Sequence, residues 1–214
     1  DSKKFNPTNL NNERRRMNIL NSHNELNKDN LYITYIGRIS AEKGFYRFIA
    51  AIFYLINDNS NKKYKFRIVS PKSDIENLDS IMKKYLISNK IKLCSYTEDP
   101  FEFYVSSLII VIPTLYAEGL SRVALEAGLL GVPIASVSNR GITALFMDGI
   151  LGEYTLDKDP YGISKIIQKI HINYSNYCYL SPKVFNCLSA KYDNNTSSNV
   201  VLSTINKILQ KDLL

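Results

Sequence analysis

The chain has 214 residues, 45% hydrophobic and 22% charged, with a formal net charge of +7. That balance describes a globular protein with a real core and excludes a disordered or fibrous chain. No apolar run approaches the roughly 20 residues of a membrane-spanning helix. The spacing of Cys94, Cys178 and Cys187, with only His23 and His171 beside them, does not fit a His/Cys metal site.

In chain order, residues 1–30 are polar and Asn-rich and read as a linker or leading segment, with a short helix around Asn12–Ser22. From Leu31 onward, to residue 214, the pattern becomes one alternating strand and helix domain. LYITYIG is a strand ending in Gly37. Gly44–Ile56 is predicted helical, because Phe45, Phe48, Ile49, Ile52, Phe53 and Ile56 recur at helical spacing. Lys65–Val69 is a strand, Ser73–Ile87 one helix, Lys90–Cys94 a strand and Asp99–Ser106 a short helix. Leu108–Ile112 is an apolar strand closed by Pro113; a helix follows from near Gly119 to near Gly131, and Pro133 leads into the strand Ile134–Ala135. Gly141–Met147 is a helical turn, Gly152–Thr155 a strand and Pro160–Tyr174 a helix. A polar break at Tyr192–Ser198 precedes a closing helix, Asn199–Gln210. This alternation indicates an α/β fold with a doubly wound parallel sheet, Rossmann-like, whose ligands bind at the carboxyl ends of the strands.

Three loops at that edge carry polar residues. In GRISAEKG, Arg38 and Lys43 flank the turn after Gly37, a phosphate clamp if both face a ligand at the helix mouth; the alternative pairs Arg38 with Glu42. The spacing is neither a Walker A loop nor GxGxxG. The second loop is Ser70–Ser73. In the third, Pro113–Ser121, Glu118 precedes Gly119, Leu120 and Ser121, whose backbone N–H groups suit phosphate or sugar oxygens; the alternative is that Glu118 and Ser121 cap the helix. Glu126 stands mid-helix among small and apolar residues, where a carboxylate is costly without partners. It either pairs with Arg122 four residues back or accepts hydrogen bonds from a diol. The basic clusters Lys3–Lys4, Arg14–Arg16, Lys62–Arg67 and Lys83–Lys92 read as a solvated surface, an anionic substrate site or a face for an anionic membrane. No nucleic-acid motif accompanies them, and nucleic acid is not an expected partner.

Together these residues resemble the C-terminal half of a GT-B glycosyltransferase of the retaining, nucleotide-sugar-using group 1. The resemblance rests on Glu118-GLSRVAL-Glu126 followed by AGLLGVP, on YIGRISAEKGFYRFIAA, and on SNRGITALFMDGILGEY with DPYGISKIIQKI, over about residues 31–172. FNP near the start resembles that family's interdomain linker. The resemblance implies a catalytic set of Arg38, Lys43 and Glu118. Arg38 and Lys43 would bind the donor diphosphate, and Glu118 would contact the transferred sugar. Gly37, Gly119, Leu120 and Ser121 would hold sugar and phosphate oxygens, Glu126 the ribose, and the stretch from Lys92 to Tyr96 the base. It implies no cofactor and no metal, the nucleotide sugar being the substrate. The expected role is synthesis of a cell-surface polysaccharide or glycolipid by a hexosyltransferase. The expected place is the cytoplasm, with peripheral contact to the inner membrane face.

Two departures qualify the resemblance. Ser70-Pro71 stands where that family often has glycines, and no acceptor-binding N-terminal domain is present in residues 1–30. The chain is therefore expected to be a fragment, or a donor-binding subunit that needs a partner chain and is inactive alone. A nucleotide-sugar epimerase of related fold is the remaining alternative.

Overall fold

Six short strands pair in the order β3-β2-β1-β4-β5-β6, every neighbouring pair parallel. They are β1 (Tyr32–Ile36), β2 (Lys65–Ser70), β3 (Lys92–Ser95), β4 (Ser107–Ile112), β5 (Ile134–Val137) and β6 (Gly152–Thr155). The computed structural model describes residues 31–58, 64–97, 100–116, 119–146 and 149–192. The expected leading segment, the helices at 12–22 and 199–210, and Glu118 lie outside them.

Helices connect the strands: α1 (Phe45–Ile56), α2 (Lys72–Glu76), α3 (Ser80–Ser88), α4 (Phe101–Val105), α5 (Arg122–Leu129), α6 (Arg140–Thr143), α7 (Pro160–Ile172) and α8 (Tyr174–Tyr192). The doubly wound, Rossmann-like sheet expected from the alternation is thus what forms. The order reverses between β1 and β4, so the carboxyl ends of these two strands flank the crevice where such sheets bind ligands.

Each face of the sheet has its own core. On one, α1 and α7 pack their apolar stripes over Ile33, Phe66, Ile68 and Ile109. On the other, Ile110, Ile112 and Ile134 meet α4, α5 and α8 through Tyr104, Ala124, Ala127, Val184 and Leu188. Fully burying one such side chain contributes about 1.5–3 kcal/mol. α5 and α8 approach closely at Gly128, where a Cβ would lie 2.5 Å from Leu188 Cδ1 and 2.7 Å from Leu151 Cδ1.

Two helices differ from expectation. The single helix expected over Ser73–Ile87 is broken: α2 ends at Asn77, and Asp79 caps α3 by accepting from the Met82 amide at 2.8 Å. An N-cap aspartate offers its own oxygen to the first turn, so the helix restarts there. Nineteen-residue α8 is unexpected, because Pro182 lies inside it and a proline removes an intrahelical donor. The carbonyl left without that donor is Cys178, and the Ser181 hydroxyl donates to it at 2.7 Å instead. Tyr174, Tyr177, Ser181, Val184 and Leu188 form its buried stripe.

Candidate functional site

A cleft of about 600 Å³ opens at the carboxyl ends of β1 and β4. Its floor is Tyr35, Ile36, Val111 and Ile112; its walls are the turn after β1, the loop after β4 and the first turn of α5. Arg38, Lys43 and Arg122 all line it, and no carboxylate does among the described residues. Three cations on one concave surface concentrate anions.

The turn from Gly37 to Gly44 is held from several sides. The Gly37 amide donates to Val69 O at 3.0 Å, which ends β1 against β2. The Tyr35 hydroxyl reaches back to the Arg38 carbonyl. The Ile39 amide donates to Asp74 Oδ2 at 2.8 Å, and the Lys43 amide to Ser40 Oγ at 3.2 Å. Gly44 has φ 76°, and a Cβ there would sit 2.0 Å from Pro113 O. Only glycine permits both the left-handed backbone and this approach of α1 to the loop after β4. Glu42 contributes its backbone: its carbonyl accepts from the Leu115 amide at 3.2 Å and from Thr114 Oγ1 at 3.1 Å. The turn after β1 and the loop after β4 are thereby joined, with Arg38 and Lys43 facing the same space.

On the opposite wall, Gly119, Leu120 and Ser121 line the cleft. Ser121 is also the N-cap of α5, its Oγ accepting from the Ala124 amide at 3.4 Å. Asn139 secures the neighbouring loop: its Nδ2 donates to Tyr116 O at 2.5 Å, while its Oδ1 accepts from the Gly141 amide at 3.0 Å. Glu126 lies one turn beyond Arg122. Its Oε1 is 3.7 Å from Arg122 NH2, and its Oε2 accepts from the Tyr104 hydroxyl at 2.7 Å. Of the two expectations for Glu126, the ion pair with Arg122 forms, and the carboxylate also accepts from the phenol of Tyr104.

The structure thus brings Gly37, Arg38, Lys43, Gly119, Leu120 and Ser121 into one cleft; Glu126, in the same helix as Arg122, is not among its lining residues. Lys92 does not join them. It begins β3, at the end of the strand remote from the cleft, and its Nζ lies 5.7 Å from the Tyr32 ring centroid. Four positions on, Tyr96 lines the cleft instead. Its phenol pKa is raised, by burial first and then by Asp74, with Arg38 acting in the opposite direction.

Sequence reasoning missed three lining residues. Tyr116 stood in the loop after β4 with no pattern to single it out. In the sequence Arg122 presents itself only as a partner for Glu126, and Tyr96 only as the end of the Lys92–Tyr96 stretch. For Arg122 and Tyr96 the available signals are the i+4 spacing to Glu126 and the position just past β3. Among the described residues, no group of three or more His, Cys, Asp or Glu is placed to hold a metal ion. No helix there is long and apolar enough to cross a membrane.

Comparison with known proteins bears on this cleft. The family described as glycosyl transferases group 1 matches residues 18–179. The chain is 26% identical over 149 residues to the capsular polysaccharide biosynthesis glycosyltransferase CapM of Staphylococcus aureus, covering 69% of this chain and 38% of that protein. Its fold is similar to a glycosyltransferase from Rickettsia africae, with TM-score 0.78, 16% identity, and coverage of 98% of this chain and 55% of that one. It is also similar to Anabaena HepE in complex with UDP, with TM-score 0.70, 17% identity, and coverage of 89% and 53%. A third structure is the C-terminal domain of a group 1 glycosyl transferase, LpcC, from Francisella tularensis. There the TM-score is 0.65 at 16% identity, over 91% of this chain and 98% of that domain. The chain thus spans 38% of the staphylococcal protein and about half of the first two structures, but nearly the whole of an isolated C-terminal domain.

Proposed function

The chain belongs to the group 1 glycosyl transferases, and from that premise we propose that its cleft is the donor site for sugar transfer from a nucleotide sugar, with retention at the anomeric carbon. The observation that carries this reading is the convergence of Arg38, Lys43 and Arg122 on one cleft. Breaking a glycosyl–phosphate bond leaves negative charge on the departing diphosphate. Cations fixed beforehand stabilise that charge without reorganising as it develops. Lys43 sits immediately before the N-cap of the 12-residue α1, whose dipole adds to the same field.

On this reading Arg38 and Lys43 hold the diphosphate. The backbone at Gly37 and at Gly119–Ser121 approaches sugar and phosphate oxygens, and Glu118 contacts the transferred sugar. Glu126 accepts from the ribose hydroxyls, and the base lies toward Tyr96. The side-chain cations supply the charge stabilisation, so no metal or other cofactor is assigned. HepE, similar in fold, has been solved with UDP and with UDP-glucose, which supports a nucleotide-sugar ligand here. The similarity to CapM supports polysaccharide synthesis as the process. A second domain provides the acceptor wall, and the net charge of +7 suits an acceptor at an anionic inner membrane face.

Calorimetric titration of UDP, GDP, ADP and their glucose conjugates into the 214-residue chain tests the proposal. One nucleoside diphosphate and its sugar should bind. Arg38→Ala and Lys43→Ala should each weaken that binding by about 10-fold or more. Binding of none, or unchanged affinity in both variants, overturns the assignment.

A further inference from the structure

We propose that Tyr104 is a positioning residue for the donor ribose, holding the Glu126 carboxylate in the orientation that receives the sugar hydroxyls. The inference rests on the assignment of Glu126 to the ribose. Tyr104 is 1% exposed and lies in the core between the sheet and α5. Its hydroxyl ends at Glu126 Oε2, 2.7 Å away. The other contact to that carboxylate, Arg122 at 3.7 Å, comes from a side chain that is 89% exposed, and an exposed pair of that kind fixes little. The buried phenol is thus the rigid partner. Each carboxylate oxygen accepts more than one hydrogen bond, so a single bond from Tyr104 orients the group and leaves lone pairs for a diol. Burial first, and then the charge and hydrogen bond of Glu126, raise the phenol pKa, so the tyrosine remains a donor at any working pH.

The helix that carries Tyr104 is itself pinned. Arg67, in β2, is 4% exposed, and its guanidinium reaches α4 and the strands beneath it. NH1 donates to Ser106 Oγ at 2.8 Å. NH2 faces Thr34 Oγ1 at 3.1 Å, Ser107 Oγ at 2.9 Å and the Phe103 carbonyl. Phe103 and Ser106 bracket Tyr104 in sequence. A buried cation with no carboxylate partner among these contacts is therefore committed to the Phe103 carbonyl and the Ser106 hydroxyl, one on either side of the tyrosine. The result is a rigid line from β2 through α4 to the one carboxylate of α5.

The test removes the hydroxyl and keeps the ring. The dissociation constants of UDP, GDP and ADP, and of their 2′,3′-dideoxyribose counterparts, are measured for the full chain, for Tyr104→Phe and for Glu126→Ala. For the best-bound base, the wild type should prefer ribose over dideoxyribose by about 30-fold, the value of two hydrogen bonds of ordinary strength or better. Glu126→Ala should abolish that preference. Tyr104→Phe should reduce it to about 5-fold or less while leaving the dideoxy affinity unchanged. The double variant Tyr104→Phe/Glu126→Ala should lose no more than Glu126→Ala alone. A ribose preference intact in Tyr104→Phe but lost in Glu126→Ala overturns the role of Tyr104 and leaves the ribose assignment standing. An equal loss for ribose and dideoxyribose in Tyr104→Phe also overturns it, since a general packing defect moves both. A preference that survives Glu126→Ala, or a wild type that binds none of the six, overturns the ribose assignment and this inference with it.

Discussion

The turn after β1 and the helix after β4 face each other across one cleft, yet they are held in place by different means. The first is fixed largely by its own chain. Glycine conformation at Gly44, backbone hydrogen bonds, the hydroxyls of Tyr35 and Ser40 and one carboxylate at Asp74 set where Arg38 and Lys43 stand. The second is fixed from a distance. Its carboxylate at Glu126 is oriented by Tyr104, from a helix 22 positions earlier, and that helix is tied by Arg67 from β2. A cluster of cations needs only to be near its ligand, because Coulomb attraction is broad in direction. A carboxylate that must accept from two hydroxyls needs an angle, and an angle needs a rigid support.

Four substitutions press on this difference, from the largest effect to the smallest. Gly44→Ala attacks the locally built wall. A positive φ costs about 1–2 kcal/mol for an L-residue, and overlap with the Pro113 carbonyl adds to it, so urea unfolding should show a loss of at least ~3 kcal/mol. A loss under ~1 kcal/mol would show that the turn adapts more freely than its packing implies. Arg67→Met attacks the distant support. It removes the guanidinium donors to the Phe103 carbonyl and to the hydroxyls of Thr34, Ser106 and Ser107, which keep only bonds among themselves and to the Glu102 carbonyl, and unfolding should register about 2–3 kcal/mol. Stability unchanged or increased would mean that the apolar replacement compensates for the lost hydrogen bonds. Asp74→Ala leaves the Ile39 amide without its carboxylate, at a cost of about 1.5 kcal/mol in thermal or urea unfolding. Lys92→Ala, at the remote end of β3, should change nucleotide affinity by less than ~0.5 kcal/mol in calorimetry; a tenfold effect would return Lys92 to the site.

The same contrast explains what could be read in the residues alone. All six strands could be placed, the inner ones because buried parallel strands are short apolar runs bounded by turn residues, the edge strands β3 and β6 from the alternation with helices. Two of the cleft's cations, Arg38 and Lys43, could be placed because they lie with Gly44 in one continuous segment between a strand and a helix. What escaped notice was non-local or self-contradictory by local rules. Arg67 reads as part of a solvated basic cluster from Lys62 onward, and only the pairing of β2 between β1 and β3 shows that it is enclosed. Tyr104 is one of 15 tyrosines, and nothing near it in sequence points to Glu126. Pro182 argues against α8, and the Ser181 hydroxyl that compensates for it becomes visible only in three dimensions. Asp79 looks like a polar face of one long helix, though its side chain starts a new one. Ser70 and Pro71, where the resemblance led one to expect glycines, prove to adjoin the carboxylate that anchors the Arg38 turn: Ser70 Oγ is 3.4 Å from Asp74 Oδ2.

The central claim is that Arg38 and Lys43 form a clamp for a diphosphate. Its most direct test compares the affinities of a nucleoside diphosphate, its monophosphate and the free nucleoside for the wild-type chain and for the Arg38→Ala/Lys43→Ala double variant. The clamp predicts that the diphosphate binds wild type about 100-fold more tightly than the nucleoside, and that this ratio collapses to within about 5-fold in the double variant with nucleoside affinity unchanged. A ratio that persists without both cations would contradict the clamp.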